Sequence, residues 1–333
     1  MGVNLRPFAA TDAARLAEIA TAASAADGHP MVVTTEEIEE EFVPPNVDPT
    51  KDVVVAVDGE HVVGYGFTYM LHNPDGDERC YVFGHVDPCA RARGVGSMVL
   101  DATIKRATAI LGDSHGRGAR YVRADCPVDN GAARTLFERA GLQPVRWFSD
   151  LVRPLDTALD VKTPDGITVQ PWNDLDNEAL RTVKNDAFAD HWGSTPTLKE
   201  NWEQLTDGYG ARRDLSFAAV HEGIPVGILL THRYPLDDGV VGGRYGWIDK
   251  LATIRQYRGR GVASALIART LEAYRNEGLT HAALNVDSDN PTGASKLYAG
   301  LGFVPFRNSV TYSLTLNNSL SAQGDINSTA SLH

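Results

Sequence analysis

The stretch RARGVGSMVL, Arg91 to Leu100, returns as YRGRGVASAL, Tyr257 to Leu266, each time running into an apolar helical pattern. Three further landmarks recur in the same order: Pro7 with Pro171, Gly64 with Gly227, and Gly141 with Gly302. All four pairs lie between 161 and 167 positions apart. A period of that size marks a tandem duplication with small insertions, not a short-period solenoid. Whatever the chain folds into must therefore be built twice, and 333 residues suffice for two cores.

Both copies have the same grammar. A short strand (around Leu5; Ile167 to Gln170) leads into an amphipathic helix (Thr11 to Ala23; Leu175 to Phe188). A hairpin follows, turning at Asp58-Gly59 and again at Glu222-Gly223, an acidic residue before glycine between β-rich runs. The next strand (Tyr81 to Val86; Trp247 to Ile254) enters the glycine stretch and a helix leaves it. Another strand, a short helix and a terminal strand complete each unit. The expected division is a unit at 1–152, a Pro- and Gly-marked linker at 153–166, a unit at 167–316 and a small, polar, disordered tail at 317–333.

The net charge of −12 opposes general binding to nucleic acid or to an anionic membrane, so neither is expected as a partner. Cys80, Cys89 and Cys126 are odd in number and lack CxxC spacing. That argues against a disulfide framework or a metal site and for a reducing, cytoplasmic setting. No signal core or membrane span is apparent.

A strand, a glycine turn and a helix together make an anion site. The first turn of a helix presents unpaired N–H groups and a partial positive charge, and glycine lets the backbone approach. Arg93 and Arg258 to Arg260 add guanidinium groups suited to phosphate oxygens. A P-loop would need Gly-Lys-Ser/Thr after the turn, and neither copy has the lysine. A dinucleotide fingerprint would follow the first strand of its unit, whereas this turn follows about the fourth.

The order of elements, with HVDPCARARGVGSMVL and LATIRQYRGRGVASALI each followed by an asparagine, an aromatic and a closing glycine, resembles the GNAT superfamily of acetyl-CoA-dependent acyltransferases. The resemblance covers nearly the whole chain twice, and the tandem arrangement is similar to two-domain actinobacterial N-acetyltransferases of the mycothiol synthase type. It implies an α/β fold of two tandem GNAT domains, each a mixed, mostly antiparallel sheet with flanking helices. It also implies acetyl-CoA as co-substrate, no metal, and a small-molecule amine as acceptor, with the protein a monomer or homodimer. The pyrophosphate would lie on Arg91, Arg93, Gly94, Val95, Gly96 and Ser97 in the first unit. In the second it would lie on Arg258, Gly259, Arg260, Gly261, Val262, Ala263 and Ser264. Gly84, His85 and Val86, or Leu251, Ala252 and Thr253, would pair with the pantetheine arm as an added strand. Asn130 and Asn290 match the family's asparagine near that arm, and Tyr298 its proton donor to the departing thiolate.

The first unit has Phe137 where the second has Tyr298, and a phenyl ring donates no proton. The second unit is therefore the expected catalyst and the first a degenerate copy. Tyr298 reads either as the acid or as a packing aromatic. Asp249 stands two residues before Leu251, so strand alternation puts both on one face, near the acyl end. It reads either as a base or as a carboxylate paired with Lys250. His191 and Trp192 read as acceptor-pocket residues or as a packed loop. EEIEEEF, Glu36 to Phe42, reads as a solvated acidic helix face. The expected activity is acetyl transfer from acetyl-CoA to the primary amine of a small metabolite. The rivals are a non-catalytic acetyl-CoA-binding regulatory or scaffold protein, and a protein or peptide amine acetyltransferase.

Overall fold

The computed structural model describes residues 2–42, 47–73, 75–289 and 293–316. The segment 317–333 and Asn290 lie outside the described residues.

The first half runs β1 (Val3–Pro7), α1 (Ala13–Ala26), α2 (Thr35–Glu41), the single turn α3 (Pro49–Asp52), β2 (Val53–Asp58), β3 (His61–Leu71), β4 (Glu78–Val86), α4 (Val95–Asp113), β5 (Arg120–Pro127), α5 (Gly131–Arg139) and β6 (Gln143–Pro154). The second runs β7 (Ile167–Pro171), α6 (Asn177–Phe188), α7 (Lys199–Asp207), β8 (Phe217–His221), β9 (Ile224–His232), the single turn α8 (Asp238–Val241), β10 (Tyr245–Thr253), α9 (Val262–Asn276), β11 (His281–Asp287), α10 (Ala294–Gly300) and β12 (Val304–Leu316). Residues 155–166 between the halves hold no helix or strand.

Local chemistry sets these elements. α1 buries Leu16, Ile19, Ala20 and Ala23 on one stripe. α2 starts with a capping box in which Thr34 and Glu37 satisfy each other's backbone N–H groups. α6 starts on Asp176, whose carboxylate accepts from Glu178 and Ala179. Burial of the amphipathic faces supplies most of the stability, on the order of 2 kcal/mol for each buried Leu or Ile. α1 and α2 pack Leu16, Ile19 and Ile38 on Val53, Val55 and Phe67, and α6 and α7 pack Leu180 and Trp202 on Ile228 and Leu230. On the other side of the second half, α9 packs Leu266, Leu271 and Tyr274 on Ile248 and Leu284.

Among the described residues the twelve strands form one sheet, in the order β1-β2-β3-β4-β5-β12-β6-β11-β10-β9-β8-β7. The terminal strands have changed places. β12 of the second half pairs with β5 of the first, and β6 of the first half pairs with β11 of the second. β6 and β12 meet antiparallel at the centre. Ladder bonds alone do not favour this exchange, because β6 and β12 would each have two neighbours either way. Side chains do. Arg146 on β6 grips Asp287 on β11 through two bonds of 2.8 and 2.7 Å. Tyr312 on β12 is fully buried, packs on Phe137 of α5 (ring centroids 5.5 Å) and donates to Glu138 at 3.0 Å.

The acidic helix α2 keeps Glu36, Glu39, Glu40 and Glu41 exposed, and it also touches the second half. The Glu40 carboxylate accepts from the Tyr209 backbone at 2.7 Å, and its carbonyl accepts from Gln204 at 2.8 Å. Ile38 and Phe42 are buried. Nearby, the Val32 backbone donates to Asp237 at 2.7 Å.

Candidate active site

β10 and β11 run parallel only from Tyr245–His281 to Ile248–Leu284, and then part. β10 continues to Thr253 with its far edge still laddered to β9, so the edge facing β11 has no strand partner beyond Ile248. The fork opens a cavity of about 660 Å³. Its walls include Asp249 to Thr253 of β10, Leu284 to Asp287 of β11, and Ala294, Leu297 and Tyr298 of α10. Phe188 and His191 at the end of α6, and Phe148 from β6 of the other half, line it as well.

At the base of the cavity β10 turns into α9. Gly259 (φ 73°) and Gly261 (φ 86°) both take left-handed backbone. A Cβ on Gly259 would meet nothing within 4 Å, so that stretch of backbone is bare. The first intrahelical acceptor bond runs from Ala265 N–H to Gly261, leaving the Val262, Ala263 and Ser264 N–H groups as the helix's open end. The same geometry recurs at Ala92 (φ 61°) and Gly94 (φ 82°), ahead of Val95, Gly96 and Ser97. In an alanine, that conformation is strained by about 1 kcal/mol or more.

The arginines divide into two roles. Arg258 binds the carbonyls of Thr253 (3.1 Å) and Ala187 (2.7 Å), bracing the loop to the strand end and to α6. Arg91 does the equivalent with Val86 and Ala23, and also pairs with Asp27 at 2.6 Å. Arg93 is tied to Asp58 at 2.6 Å, whereas Arg260 is exposed and lies over the Tyr257 ring at 5.2 Å.

Asp249 sits at the fork for a reason that simple alternation misses. Ile248 pairs with Thr231 and Lys250 with Leu230, so Asp249 is the extra residue of a β-bulge. The bulge resets the alternation. Leu251 packs with the α9 cluster, while Asp249 faces His232 at 4.0 Å on the α7 side. The expectation that Asp249 and Leu251 share a face is thereby corrected. Asp249 also receives a 2.8 Å hydrogen bond from Lys250. Burial pushes its carboxyl up, but the charges of Lys250 and His232 and the Lys250 hydrogen bond outweigh that, and it ends below the ordinary carboxylate range. The β3–β4 ladder of the first half runs without any bulge.

Tyr298 is buried beside Phe303 at 5.9 Å, and burial pushes its phenol up to about 12. It keeps its proton at neutral pH. Trp192, next to His191, does not line the cavity. Its ring stacks under Arg123 (4.1 Å) and Arg146 (5.3 Å) of the first half and tilts onto Phe148 at 6.3 Å. Asn130 caps α5, accepting from the Ala133 N–H at 3.0 Å. Leu251, Ala252 and Thr253 line the cavity along the open strand edge. In the first half Gly84 packs so closely that a Cβ would come within 2.6 Å of the Tyr65 carbonyl, and His85 tilts onto the Tyr65 ring at 5.7 Å.

Residues 18–142 and 177–303 both match the family described as "Acetyltransferase (GNAT) family". The chain belongs to the GNAT acetyltransferase family. Its curated relatives include a mycothiol acetyltransferase of Frankia casuarinae, 30% identical over 68% of this chain and 66% of that one. A mycothiol acetyltransferase of Tsukamurella paurometabola is 29% identical over 78% of this chain and 86% of that one. Among solved structures, a GCN5-related N-acetyltransferase from Sphaerobacter thermophilus shares the fold at a TM-score of 0.73, with 24% identity over 94% of this chain and 95% of that one. A tandem GNAT protein from the clavulanic acid biosynthesis pathway superposes at 0.70, with 18% identity over 95% and 99%. This GNAT acetyltransferase thus carries two family units fused into one sheet.

Three residues at this GNAT site escape sequence reading. Phe148 comes from the other half, and only the strand exchange brings it in. His232 ends a hairpin strand, LLTH, with nothing local to mark it. Lys184 looks like a solvent-facing helix lysine, yet it is buried and bonds Thr197, the Thr195 carbonyl and Asn185. Burial, aided by Lys250 and Arg181, lowers its ammonium to about 8. Among the described residues no cluster of His, Cys, Asp or Glu has the makings of a metal site, and no helix is long and apolar enough to cross a membrane.

Proposed function

We propose that the second unit, 167–316, transfers the acetyl group of acetyl-CoA to the primary amine of a small metabolite, and that the first, 1–152, is a degenerate structural copy. One observation carries this reading: the open strand edge, the bare glycine cradle and Tyr298 line a single cavity. The N–H groups of Gly259 to Ser264 would hold the pyrophosphate, with Arg260 free to reach it. The edge from Leu251 to Thr253 would pair with the pantetheine arm and polarise the thioester carbonyl.

The amine nitrogen attacks the carbonyl carbon, the C–N bond forms and the C–S bond breaks. Tyr298 gives its proton to the thiolate and regains one from the new amide nitrogen through solvent. Asp249, beside the acyl end, receives the proton that frees the amine. Kinship with mycothiol acetyltransferases supports a small-molecule acceptor. Three free cysteines support a cytoplasmic setting.

The test is calorimetry of the full chain with acetyl-CoA, then free-thiol release over a panel of small primary amines. Binding followed by release on at least one amine is expected. Absence of binding would overturn the reading, and binding without release on any amine would favour a non-catalytic coenzyme holder.

A further inference from the structure

His232 ends β9 on the α7 side of the fork, 5% exposed and stacked on Tyr234 with ring centroids 6.2 Å apart. Its Nε2 lies 3.1 Å from the Leu205 carbonyl oxygen. A carbonyl only accepts, so Nε2 carries the hydrogen and, in the neutral ring, Nδ1 is a bare lone pair. That Nδ1 is buried without a hydrogen-bond partner, and it faces Asp249 Oδ2 at 4.0 Å. Two acceptors thus oppose each other with no proton between them. The groups around the ring are Asp249 and Lys250 on β10, Tyr234 two residues past the end of β9 and the Leu205 carbonyl of α7. Burial biases the ring toward its neutral form and Lys250 adds to that, while Asp249 opposes it. Asp249 by itself is a poor proton store, because Lys250 holds it ionised.

We propose that His232 is the positioning residue that receives, through Asp249, the proton removed from the acceptor ammonium. The inference rests on the acetyl-transfer reading above. The ammonium gives one proton to the Asp249 carboxylate, which passes it to His232 Nδ1 and is ionised again. The amine, now with a lone pair, attacks the thioester. The imidazolium then donates from both nitrogens, to Leu205 and to Asp249, and finally releases its proton to solvent. The orphaned acceptor of the resting site is satisfied in the proton-loaded state.

The test pairs nitrogen NMR of the full chain, labelled at histidine, with kinetics on glucosamine as probe amine. At neutral pH the His232 Nδ1 resonance should be that of a bare nitrogen, and Asp249→Asn should lower the ring's titration midpoint by about one unit, a tenfold change. A protonated Nδ1 at neutral pH, or a midpoint unmoved by Asp249→Asn, would overturn the proposal, and neither reading needs turnover. His232→Gln should lower kcat about a hundredfold, leave acetyl-CoA affinity intact and remove the acid limb of the kcat/KM profile. A retained acid limb with unchanged kcat would overturn it too. Failure of the unaltered protein to bind acetyl-CoA would instead sink the acetyl-transfer reading, while the imidazole titration would still judge the pair.

Discussion

Replacing Tyr298 with phenylalanine removes one oxygen from a buried ring and leaves its edge-to-face packing on Phe303 in place. The fold should hardly notice. The chemistry should, because Tyr298 is the cavity's phenol on α10, whereas the other one, Tyr257, stands on the turn that leads into the glycine cradle. With its phenol raised to about 12 by burial, Tyr298 stays protonated through the physiological range and can donate at every turnover. Positioned proton transfer contributes roughly 10²- to 10⁴-fold, or about 3 to 5 kcal/mol of barrier at 1.36 kcal/mol per tenfold. Thiolates leave readily, so the low end is the expectation: kcat down about a hundredfold. The assay is free-thiol release under saturating acetyl-CoA, with calorimetric affinity and urea unfolding as companions. The expected outcome is lost turnover with both companions unchanged. Undiminished kcat would remove Tyr298 from the mechanism, and loss of acetyl-CoA affinity in proportion to turnover would reassign it to binding.

Three other outcomes follow from the same geometry. Arg146→Met strands the buried Asp287 carboxylate across the exchanged strands and should cost about 3 kcal/mol in urea unfolding; a loss below about 1 kcal/mol would contradict the role given to this pair. Gly259→Ala should lower stability by only about 1 kcal/mol, since a Cβ there meets no protein atom and Ala92 holds the equivalent conformation, but should weaken acetyl-CoA binding by intruding on the bare backbone. Calorimetry showing unchanged affinity would refute the bare-backbone view. Lys184 has its ammonium lowered from 10.5 to about 8, so between those values the unfolded chain binds more protons and stability gains with rising pH from this residue. Urea midpoints at pH 7.5 and 10 should show that gain in the unaltered protein and lack it in Lys184→Met.

The two glycine turns were legible because a helix entered through left-handed backbone favours glycine, as at Gly94 and Gly261. The hairpins were legible from Asp58-Gly59 and Glu222-Gly223, where Gly59, Glu222 and Gly223 do take positive φ. The exchange of β6 and β12 was not legible. The two strands occupy equivalent places in equivalent units, and only cross-half contacts such as Arg146–Asp287 and Phe137–Tyr312 distinguish the arrangements. The bulge escaped for a similar reason. Lys250 and Leu251 look like any strand residues, and a one-residue slip in a ladder leaves no mark in composition. Trp192 packs instead of lining the cavity, and its partners, Arg123 and Arg146, belong to the other half, which no local pattern reveals.

The exchange also dictates an order of events during synthesis. β5 waits for β12, a strand of 13 residues made after every other element of the second unit. Until then the first unit stands with an open edge, and a chain cut short at 303 would keep every residue of its amino-terminal cradle yet lack the strand that closes that unit's sheet. A nonsense mutation just ahead of β12 should therefore injure the first unit as severely as the second.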